Sequence, residues 1–272
     1  MPHEAPRQLV MLCTYNEREN LERLIPEIHQ YAPDADLLVV DDNSPDGTGQ
    51  LVDKMAGENN RIHVLHRSGK LGLGTATLAG FRYAIEQGYD QLTNMDADFS
   101  HHPRYLPALH ECLQRADVGV GSRYVPQGGV TGWGFKRHFM SRAINAYARL
   151  LLGLKTKDNS GSFRCYRVSK LRELDLDRVR ARGYAFQEEI LYRCRRIGCT
   201  FEETPIIFED RRYGSSKINW RESVAALWVI FRLGIDNLLG TPVAAAQNEN
   251  NPHQHSKQSG SDPPAPDSAH QS

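Results

Sequence analysis

The sequence has no hydrophobic run long enough to cross a membrane. Its longest uninterrupted apolar run is Val224–Phe231, far short of the roughly 20 residues that a spanning helix needs. The amino terminus, MPHEAPRQLVML, also lacks an apolar stretch of the length found in signal peptides. We therefore expect a cytoplasmic protein, with any contact at the inner face of a membrane being peripheral.

The chain also has no excess charge of either sign and no cysteine motif. Lys and Arg together number 33, as do Asp and Glu, so the formal net charge is zero. This balance argues against the broad basic surface of a nucleic-acid-binding protein. The five cysteines form no CxxC pair, which argues against a disulfide framework and a cysteine zinc site. No GxGxxG motif follows the first predicted strand, which excludes a dehydrogenase of the Rossmann type.

Short apolar runs alternate with helical patterns through the first half of the chain. The runs predicted as strands are Leu9–Cys13, Leu37–Val40, Ile62–Leu65, Gln91–Met95 and Asp117–Val120. The helices predicted between them are Glu19–Tyr31, Thr48–Asn59, Thr75–Gln87 and Pro103–Arg115. This alternation predicts an α/β fold with a mostly parallel sheet covered by helices on both faces. Because such sheets bind ligands beyond the carboxyl ends of their strands, the loops that follow the strands are the informative ones.

The second half of the chain is less regular. Helices are predicted over Arg142–Leu152 and Phe186–Arg196, with extended structure over Thr200–Phe208. Trp220–Leu239 has apolar residues at helical spacing and predicts an amphipathic helix, which either packs on the core or docks on a membrane. We expect one domain over residues 1–243, followed by a disordered polar tail over 244–272 that has no aromatic residue.

Two carboxylates follow the fourth predicted strand. Asp96 and Asp98 flank Ala97, and this i, i+2 spacing allows both side chains to face one cavity. Carboxylate oxygens are suitable ligands for Mg²⁺ or Mn²⁺, which would bridge the phosphates of a nucleotide-sugar and stabilise the departing diphosphate. A strand-end turn with solvated acids is the alternative, and the DxD spacing alone does not decide between them.

Polar residues also follow the first two predicted strands. Tyr15 offers a ring for stacking and Glu17 can accept hydrogen bonds from a base, although a helix start with a packed tyrosine explains both residues as well. Asp42 lies in the segment DDNSPDGT, whose Asp, Asn, Pro and Gly residues specify a turn. A carboxylate at this strand end could also bind a base or a ribose hydroxyl.

Cations occur near small residues in the second half. Arg123 follows Gly-Ser, Arg137 lies four residues before Ser141, and the segment DRRYGSSK contains Arg211 and Lys217. Guanidinium groups bind phosphate oxygens in a fork, so the set favours phosphate recognition. Any one of these residues taken alone is more often a surface cation.

Together these motifs resemble those of the dolichol-phosphate (polyprenol-phosphate) mannosyltransferases, which belong to glycosyltransferase family 2 and have the GT-A fold. The resemblance extends from about Leu9 to Lys217, with its segments in the family's order and spacing. The segments are TYNERENL, VDDNSPDGTG, GKLGLGTA, MDADFSHHP, GSRYVPQGGV followed by GW, DNSGSFRCYR, GYAFQEE and DRRYGSSK. The ordered set is far more specific than a DxD motif alone.

The resemblance implies roles for four groups of residues. Those implied to bind the nucleoside of GDP-mannose are Tyr15, Glu17, Asp42 and, through its backbone, Cys13. Those implied at the ribose, the diphosphate and the metal are Asp96, Ala97 and Asp98, with Asp96 and Asp98 as metal ligands. Those implied to contact the donor phosphate or sugar are Arg123, Arg211 and Lys217. Those implied to hold the acceptor phosphate are Arg137 and Ser141. The catalytic set would be Asp98, Arg123 and Arg211.

Two positions depart from the family's pattern. Cys13 stands where the family usually has proline, a change that a backbone contact to the nucleoside would survive. Ser100 stands where some relatives have a glutamine metal ligand, so a third protein ligand for the metal stays open.

The implied reaction is inverting transfer of mannose from GDP-mannose to dolichyl or polyprenyl phosphate, with Mg²⁺ or Mn²⁺ as cofactor and a membrane surface as a partner. The acceptor phosphate is already anionic near neutral pH and needs little general-base help. The protein's main task would be to bring two anionic reactants together. Two alternatives stay open. One is the same fold and acceptor with UDP-glucose or UDP-N-acetylhexosamine as donor, and the other is a non-catalytic nucleotide-binding module.

Overall fold

The computed structural model describes residues 5–181, 183, 185–210 and 220–240. The strands of its central sheet are β1 (Gln8–Thr14), β2 (Asp36–Asp41), β3 (Ile62–His66), β4 (Gln91–Asp96), β5 (Val118–Ser122), β7 (Arg164–Arg167) and β8 (Phe201–Pro205). Their order across the sheet is β3-β2-β1-β4-β7-β5-β8. A small second sheet pairs β6 (Gly129–Thr131) with β9 (Ile207–Glu209).

Most of the central sheet is parallel, as the sequence predicts. Strands β1 to β4 are parallel to their neighbours among them, and β8 is parallel to β5. Strand β7 lies between β4 and β5 and is antiparallel to both. This strand was not predicted, because its sequence Arg-Cys-Tyr-Arg has charged ends that are atypical of a central strand.

Helices cover both faces of the sheet. They are α1 (Arg18–Tyr31), α2 (Thr48–Glu58), α3 (Leu73–Glu86), α4 (Leu106–Cys112), α5 (Phe135–Leu152), α6 (Val168–Arg172), α7 (Phe186–Arg196) and α8 (Trp220–Leu238). In β1, Leu9 and Met11 belong to the core cluster shared with α3, whereas Val10 and Leu12 belong to the cluster shared with α1. Burial on both faces explains why this strand is continuously apolar.

Helix α5 is longer than predicted, because it begins at Phe135 rather than at Arg142. Its first turns lack a buried apolar stripe, since Phe135 and Phe139 are both exposed. The sequence pattern therefore predicts only the second half of the helix, where core contacts are made. The additional turns include Arg137 and Ser141, which are four residues apart and lie on the same face.

Helix α8 matches the predicted amphipathic helix and has one buried face and one exposed aromatic face. Ile230 and Leu233 are buried in the core, whereas Trp228 and Phe231 are 64% and 41% exposed. The rings of Trp228 and Phe231 lie 5.7 Å apart, measured between centroids. The helix thus packs on the core through one side and exposes aromatic side chains on another.

Within residues 5–181, 183, 185–210 and 220–240, no helix combines the length and apolarity needed to span a bilayer. The polar tail predicted over 244–272 lies outside the described residues. The five cysteines carry free thiols, as expected from their scattered positions.

Candidate functional site

The carboxyl ends of three neighbouring strands meet at one edge of the sheet. Cys13 of β1 lies in register with Asp96 of β4, and Thr14 lies in register with Asp41 of β2. The loops after these strands each contain a non-glycine residue with positive φ. These are Asn16 at 61°, Asn43 at 56° and Phe99 at 63°. Backbone of this kind costs free energy and is concentrated at functional sites, so this edge is the first candidate.

Asp96 ends β4 and is held on two sides. Ser162 Oγ donates to Asp96 Oδ1 at 2.7 Å, and the backbone N–H of Asp96 donates to His101 Nδ1 at 3.2 Å. The His101 ring is buried and stacks on Phe163, with centroids 5.0 Å apart. Burial lowers the pKa of His101, which keeps the ring uncharged and able to accept this hydrogen bond. His101 therefore orients the backbone at Asp96.

Asp98 lies in the turn that follows Asp96 and is 5% exposed. The backbone N–H of Ser100 donates to Asp98 Oδ1 at 3.0 Å, directly after the left-handed Phe99. Among the residues that the structure describes, no group of three or more His, Cys, Asp or Glu side chains is arranged to hold a metal. Two carboxylates nevertheless suit a divalent cation that takes its remaining ligands from phosphate oxygens and water.

Asp42 connects the end of β2 to the glycine-rich loop before α3. Its Oδ1 lies 2.7 Å from Arg67 Nη1, an ion pair that lacks hydrogen-bond geometry, and its Oδ2 accepts from the backbone N–H of Leu71 at 3.2 Å. Burial raises the pKa of Asp42, and the charge of Arg67 partly opposes that effect. The carboxylate therefore fixes this loop against the strand end.

The other residues implied at the nucleoside lie at the same edge. Lys70 Nζ is 4.2 Å from the centroid of the Tyr15 ring, and Glu17 Oε2 accepts from Asn20 Nδ2 at 2.6 Å. Burial raises the pKa of the Cys13 thiol to about 12, so it is unreactive near neutral pH. Lys70, like Arg67, adds a cation at this edge that was not assigned from the sequence.

Arg123 follows β5 and is clamped by Asp158. Its Nε and Nη2 donate to the two carboxylate oxygens of Asp158, both at 2.7 Å, and its backbone N–H donates to Oδ2 at 3.0 Å. Nη2 also donates to Ser160 Oγ at 2.9 Å. Burial acts to raise the pKa of Asp158, but the charge and hydrogen bonds of Arg123 bring it below its usual value. Within the part of the chain that the structure describes, none of these bonds uses Nη1, so this end of the guanidinium can donate to a ligand.

A cavity of about 490 Å³ joins these groups to the residues implied at the acceptor phosphate. Asp96 and Arg123 line it together with Arg137 and Ser141 of α5. Arg137 stacks on Trp133, with the guanidinium carbon 4.1 Å from the ring centroid. Arg137 also pairs with Asp210 at 3.0 Å, and Ser141 Oγ lies 2.6 Å from the Tyr124 hydroxyl. Apart from Trp133 and Phe208, the apolar part of the wall comes from α5 and α8, through Met140, Ile144, Ala226, Leu227 and Ile230.

Two residues implied at the donor, Arg211 and Lys217, lie outside the described residues. The structure therefore brings Asp96, Arg123, Arg137 and Ser141 to one cavity. It gathers Cys13 and Asp42 at the adjoining strand ends.

Comparison with known proteins identifies the family. Residues 9–175 match the family model described as Glycosyl transferase family 2. The chain belongs to glycosyl transferase family 2. The motif resemblance is thereby confirmed at the level of the family, and the chain is a glycosyltransferase.

Two curated relatives are similar to this glycosyltransferase over most of their length. The undecaprenyl-phosphate mannosyltransferase of Micrococcus luteus is 45% identical over 213 residues, which cover 78% of this chain and 88% of the relative. The polyprenol monophosphomannose synthase of Mycolicibacterium smegmatis is 42% identical over 231 residues, covering 84% of this chain and 87% of the relative. Both levels of identity confirm the resemblance to the polyprenol-phosphate mannosyltransferases.

Solved structures of lower identity share the fold. Glucosyl-3-phosphoglycerate synthase from Mycobacterium tuberculosis, in complex with Mn²⁺, UDP and glucosyl-3-phosphoglycerate, has a TM-score of 0.61 at 19% identity and covers 88% of this chain and 81% of its own. Mannosyl-3-phosphoglycerate synthase from Rubrobacter xylanophilus has a TM-score of 0.63 at 15% identity. The match covers 91% of this chain and 78% of the synthase. These matches confirm the predicted GT-A fold.

Several site residues of this glycosyltransferase were not assigned from the sequence. Asp158 and Ser162 lie in the DNSGS segment, which was recognised as a motif without roles for its members. Their partners Arg123 and Asp96 are 35 and 66 residues away in the chain, so only the fold reveals the pairs. Glu188 of α7 also lines the cavity. Its segment GYAFQEE contains two adjacent glutamates, and the sequence gives no signal for which one faces a ligand.

Proposed function

We propose that this glycosyltransferase moves mannose from GDP-mannose to a polyprenyl phosphate, giving polyprenyl-phosphate mannose and GDP. The printed names of both curated relatives support a mannosyl donor and a polyprenyl phosphate acceptor. The observation that carries the proposal is the single cavity that joins Asp96 and Arg123 to Arg137, Ser141 and an apolar wall. A lipid phosphate needs this combination of cations and apolar surface, whereas a soluble acceptor does not.

The cavity offers separate groups for the two anionic reactants. On the donor side, Arg123 presents Nη1 while Asp158 fixes the rest of its guanidinium. On the acceptor side, Arg137 and Ser141 lie on one face of α5 and would bind the lipid phosphate through charge-assisted hydrogen bonds. Met140 and Ile144 of the same helix would contact the first isoprene units of the acceptor.

Asp96 and Asp98 would hold the divalent cation, Mg²⁺ or Mn²⁺. When bound, that cation would neutralise the donor diphosphate and stabilise the negative charge of the departing GDP. Ser162 and Ser100 keep the two carboxylates oriented before any ligand arrives, through the hydrogen bonds to Asp96 Oδ1 and Asp98 Oδ1. This preorganisation lowers the cost of binding the charged donor.

The reaction is an in-line displacement. An oxygen of the acceptor phosphate attacks the anomeric carbon while the bond from that carbon to the β-phosphate oxygen of GDP breaks. The product is a mannosyl phosphodiester of inverted configuration, and GDP leaves with the electron pair. The residues of the chain therefore act mainly by holding two phosphates at bonding distance, without a strong general base.

The acceptor would be met at a membrane surface, which the protein touches without spanning. Bulky apolar side chains are exposed on both α5 and α8, among them Phe135 at 83%, Phe139 at 64% and Trp228 at 64%. Helix α5 has four basic residues and no acidic one, so it suits an anionic leaflet. Its basic residues are Lys136, Arg137, Arg142 and Arg149.

A donor and acceptor screen tests the proposed function. Purified protein is mixed with Mn²⁺, polyprenyl phosphate in detergent, and GDP-mannose, UDP-glucose or UDP-N-acetylglucosamine, each with a labelled sugar. We expect label in the lipid phase with GDP-mannose and little with either UDP-sugar. The matched control is the polyprenol alcohol without its phosphate, which should accept no sugar. Preference for a UDP-sugar would overturn the assignment of GDP-mannose as donor. Absence of transfer from all three nucleotide-sugars would favour a non-catalytic nucleotide-binding module.

A further inference from the structure

The cavity contains a buried carboxyl group that the proposed reaction does not yet use. Glu188 lies in the first turn of α7, is 2% exposed and lines the cavity with Asp96, Arg123 and Ser162. Its Oε2 is fully buried and has no hydrogen-bond partner among the described residues. A buried carboxyl oxygen without a partner costs free energy, so a ligand that supplies the missing hydrogen bond would be stabilised at this position.

The adjacent Glu189 is a structural carboxylate whose hydrogen bonds are all made within the fold. Glu189 accepts from the backbone N–H groups of Arg180 and Ala181, at 2.7 to 3.1 Å. It also forms an ion pair with Arg193 at 2.7 Å. Both oxygens of Glu189 are therefore used within the fold, in contrast to Oε2 of Glu188.

The cations near Glu188 direct most of their donors to other residues, although Arg164 Nε has no hydrogen-bond partner among the described residues. Arg164 donates to the backbone oxygens of Gln187 and Asn159 and to the side-chain oxygen of Gln187. Arg123 donates hydrogen bonds from Nε and Nη2 to Asp158 and from Nη2 to Ser160. No ion pair to Glu188 occurs among the described residues, and a group that enters the cavity can complete its hydrogen bonding.

The chemistry of the cavity narrows the choice of that group. A carboxylate repels phosphate oxygens, and the phosphates already have Arg123, Arg137 and Lys136 along the same wall. A sugar hydroxyl can both donate and accept, and the hexose of the proposed donor carries four free hydroxyls against two on its ribose. Burial raises the pKa of Glu188 to about 7, so near neutral pH the side chain is a mixture of acid and carboxylate that can pair with a hydroxyl in either sense.

We propose that Glu188 hydrogen-bonds to one hydroxyl of the hexose being transferred and so contributes to the choice of sugar. This inference rests on the proposed function, because it assumes that a nucleotide-hexose donor occupies the cavity. Ser162, whose hydroxyl orients Asp96, lines the same cavity, and the charges of Arg123 and Asp158 act on the Glu188 carboxyl. Glu188 therefore belongs with the residues proposed for the donor.

The test compares the effect of removing Glu188 with the effect of removing each hydroxyl. The kcat/KM is measured for GDP-mannose and for a series of analogues that each lack one sugar hydroxyl, using wild type, Glu188→Gln and Glu188→Met. In wild type, one analogue should lose about 10- to 100-fold, as for a hydrogen bond to a charged group. In Glu188→Met that analogue should be used nearly as well as GDP-mannose, while Glu188→Gln should give an intermediate ratio.

Glu189→Gln, a substitution at the adjacent glutamate, is the matched control. Because Glu189 is bonded only within the fold, its substitution should lower the melting temperature and reduce kcat/KM by one factor for every analogue. The same uniform loss in Glu188→Met would overturn the inference and leave the proposed function standing. Absence of transfer by wild type from every donor would instead overturn the proposed function and the inference together. If Glu188→Met melts below the assay temperature, Glu188→Ala, which also lacks hydrogen-bonding atoms, takes its place.

Discussion

Arg123 and Arg137 line one cavity, yet their surroundings differ. Arg123 is buried and held by Asp158 through three hydrogen bonds, so its position is fixed before a ligand binds. Arg137 is about one-third exposed and pairs with the partly exposed Asp210. A phosphate can displace that pairing at little cost, because exposed ion pairs contribute little to stability. We infer that the rigid Arg123 suits the phosphate of the nucleotide-sugar donor. The more adaptable Arg137 suits the phosphate of an acceptor that arrives from a membrane.

Arg137→Ala should mainly impair use of the lipid acceptor. Losing a charge-assisted hydrogen bond of about 1.5–3 kcal/mol predicts a rise of roughly 10- to 100-fold in the KM for polyprenyl phosphate. The affinity for GDP-mannose, measured by calorimetry, should be unchanged. Arg149→Ala, at an exposed position on the same helix, is the control and should alter neither value. Lost donor affinity with an unchanged acceptor KM would reverse the assignment of Arg137.

Glu188 should make stability depend on pH in a defined direction. Its pKa is raised by burial from 4.5 to about 7 in the folded chain, despite the opposing charges of Arg164 and Arg123 and with a further increase from Asp158. The folded state therefore holds more protons than the unfolded state between these values, and stability falls as the pH rises through that window. Below about pH 4.5 the folded state carries no stability penalty from Glu188, and above about pH 7 it carries the full penalty.

Glu188→Met removes the penalty, so the variant should gain stability over wild type as the pH rises from 5 to 8. The gain should be on the order of 3 kcal/mol, from 1.36 kcal/mol per pKa unit. Denaturant unfolding of both proteins at several pH values measures it. Parallel pH profiles for the two proteins would show that Glu188 does not carry a buried, desolvated charge. A stabilised variant with altered sugar selectivity would illustrate a cost that the native site bears for function.

At the scale of elements, the predictable parts of the fold are those whose residues meet the core in a regular pattern. Strand β1 reads as a continuous apolar run because both of its faces are buried. Strand β7 does not, because Arg164 is fully buried in it and is compensated by oxygens of Gln187 and Asn159 from outside the strand. Such compensation has no local signal in the sequence.

The same distinction applies to the site. Asp96 and Asp98 were predicted because two acids at the end of an apolar strand form a local pattern. The clamp between Arg123 and Asp158 was not predicted, because its members are 35 residues apart and each lies in a separate loop. Motif resemblance singled out Arg137 and Ser141, but the sequence did not predict that they share a helix face, because the predicted helix began at Arg142 and α5 begins at Phe135.

Helix α8 offers a test of membrane docking that does not disturb the core. Trp228→Ser combined with Phe231→Ser should release the protein from vesicles that contain phosphatidylglycerol and raise the apparent KM for long-chain polyprenyl phosphate. Transfer to a short, soluble acceptor and the melting temperature should change little, since both side chains are substantially exposed.

The contrasting variant on the same helix is Leu233→Ala. Leu233 is 4% exposed, so its truncation should cost roughly 2–5 kcal/mol of stability while leaving vesicle binding intact. Vesicle sedimentation and thermal melts are measured on both proteins. Unchanged sedimentation of the double variant, together with a large fall in its melting temperature, would contradict the membrane surface on α8.

In the whole molecule, the cavity lies between the strand ends and the pair α5 and α8. We propose that residues 1–243 form one catalytic unit around it. We propose that residues 244–272 form a polar tail outside this unit, because the segment lacks aromatic residues that could join a core. Removing 244–272 should leave the melting temperature and detergent-assayed transfer unchanged. A loss of either on truncation would show that the tail contributes to folding or to the site.

We propose that the chain transfers mannose to a lipid phosphate in a metal-dependent reaction that uses the carboxylates after β4. The most direct measurement is formation of labelled polyprenyl-phosphate mannose from GDP-mannose by wild type and Asp98→Ala, with Mn²⁺ or with EDTA, alongside thermal melts. We expect product only for wild type with the divalent cation, and a folded but inactive Asp98→Ala. Full activity of wild type in EDTA, or of Asp98→Ala in Mn²⁺, would contradict it.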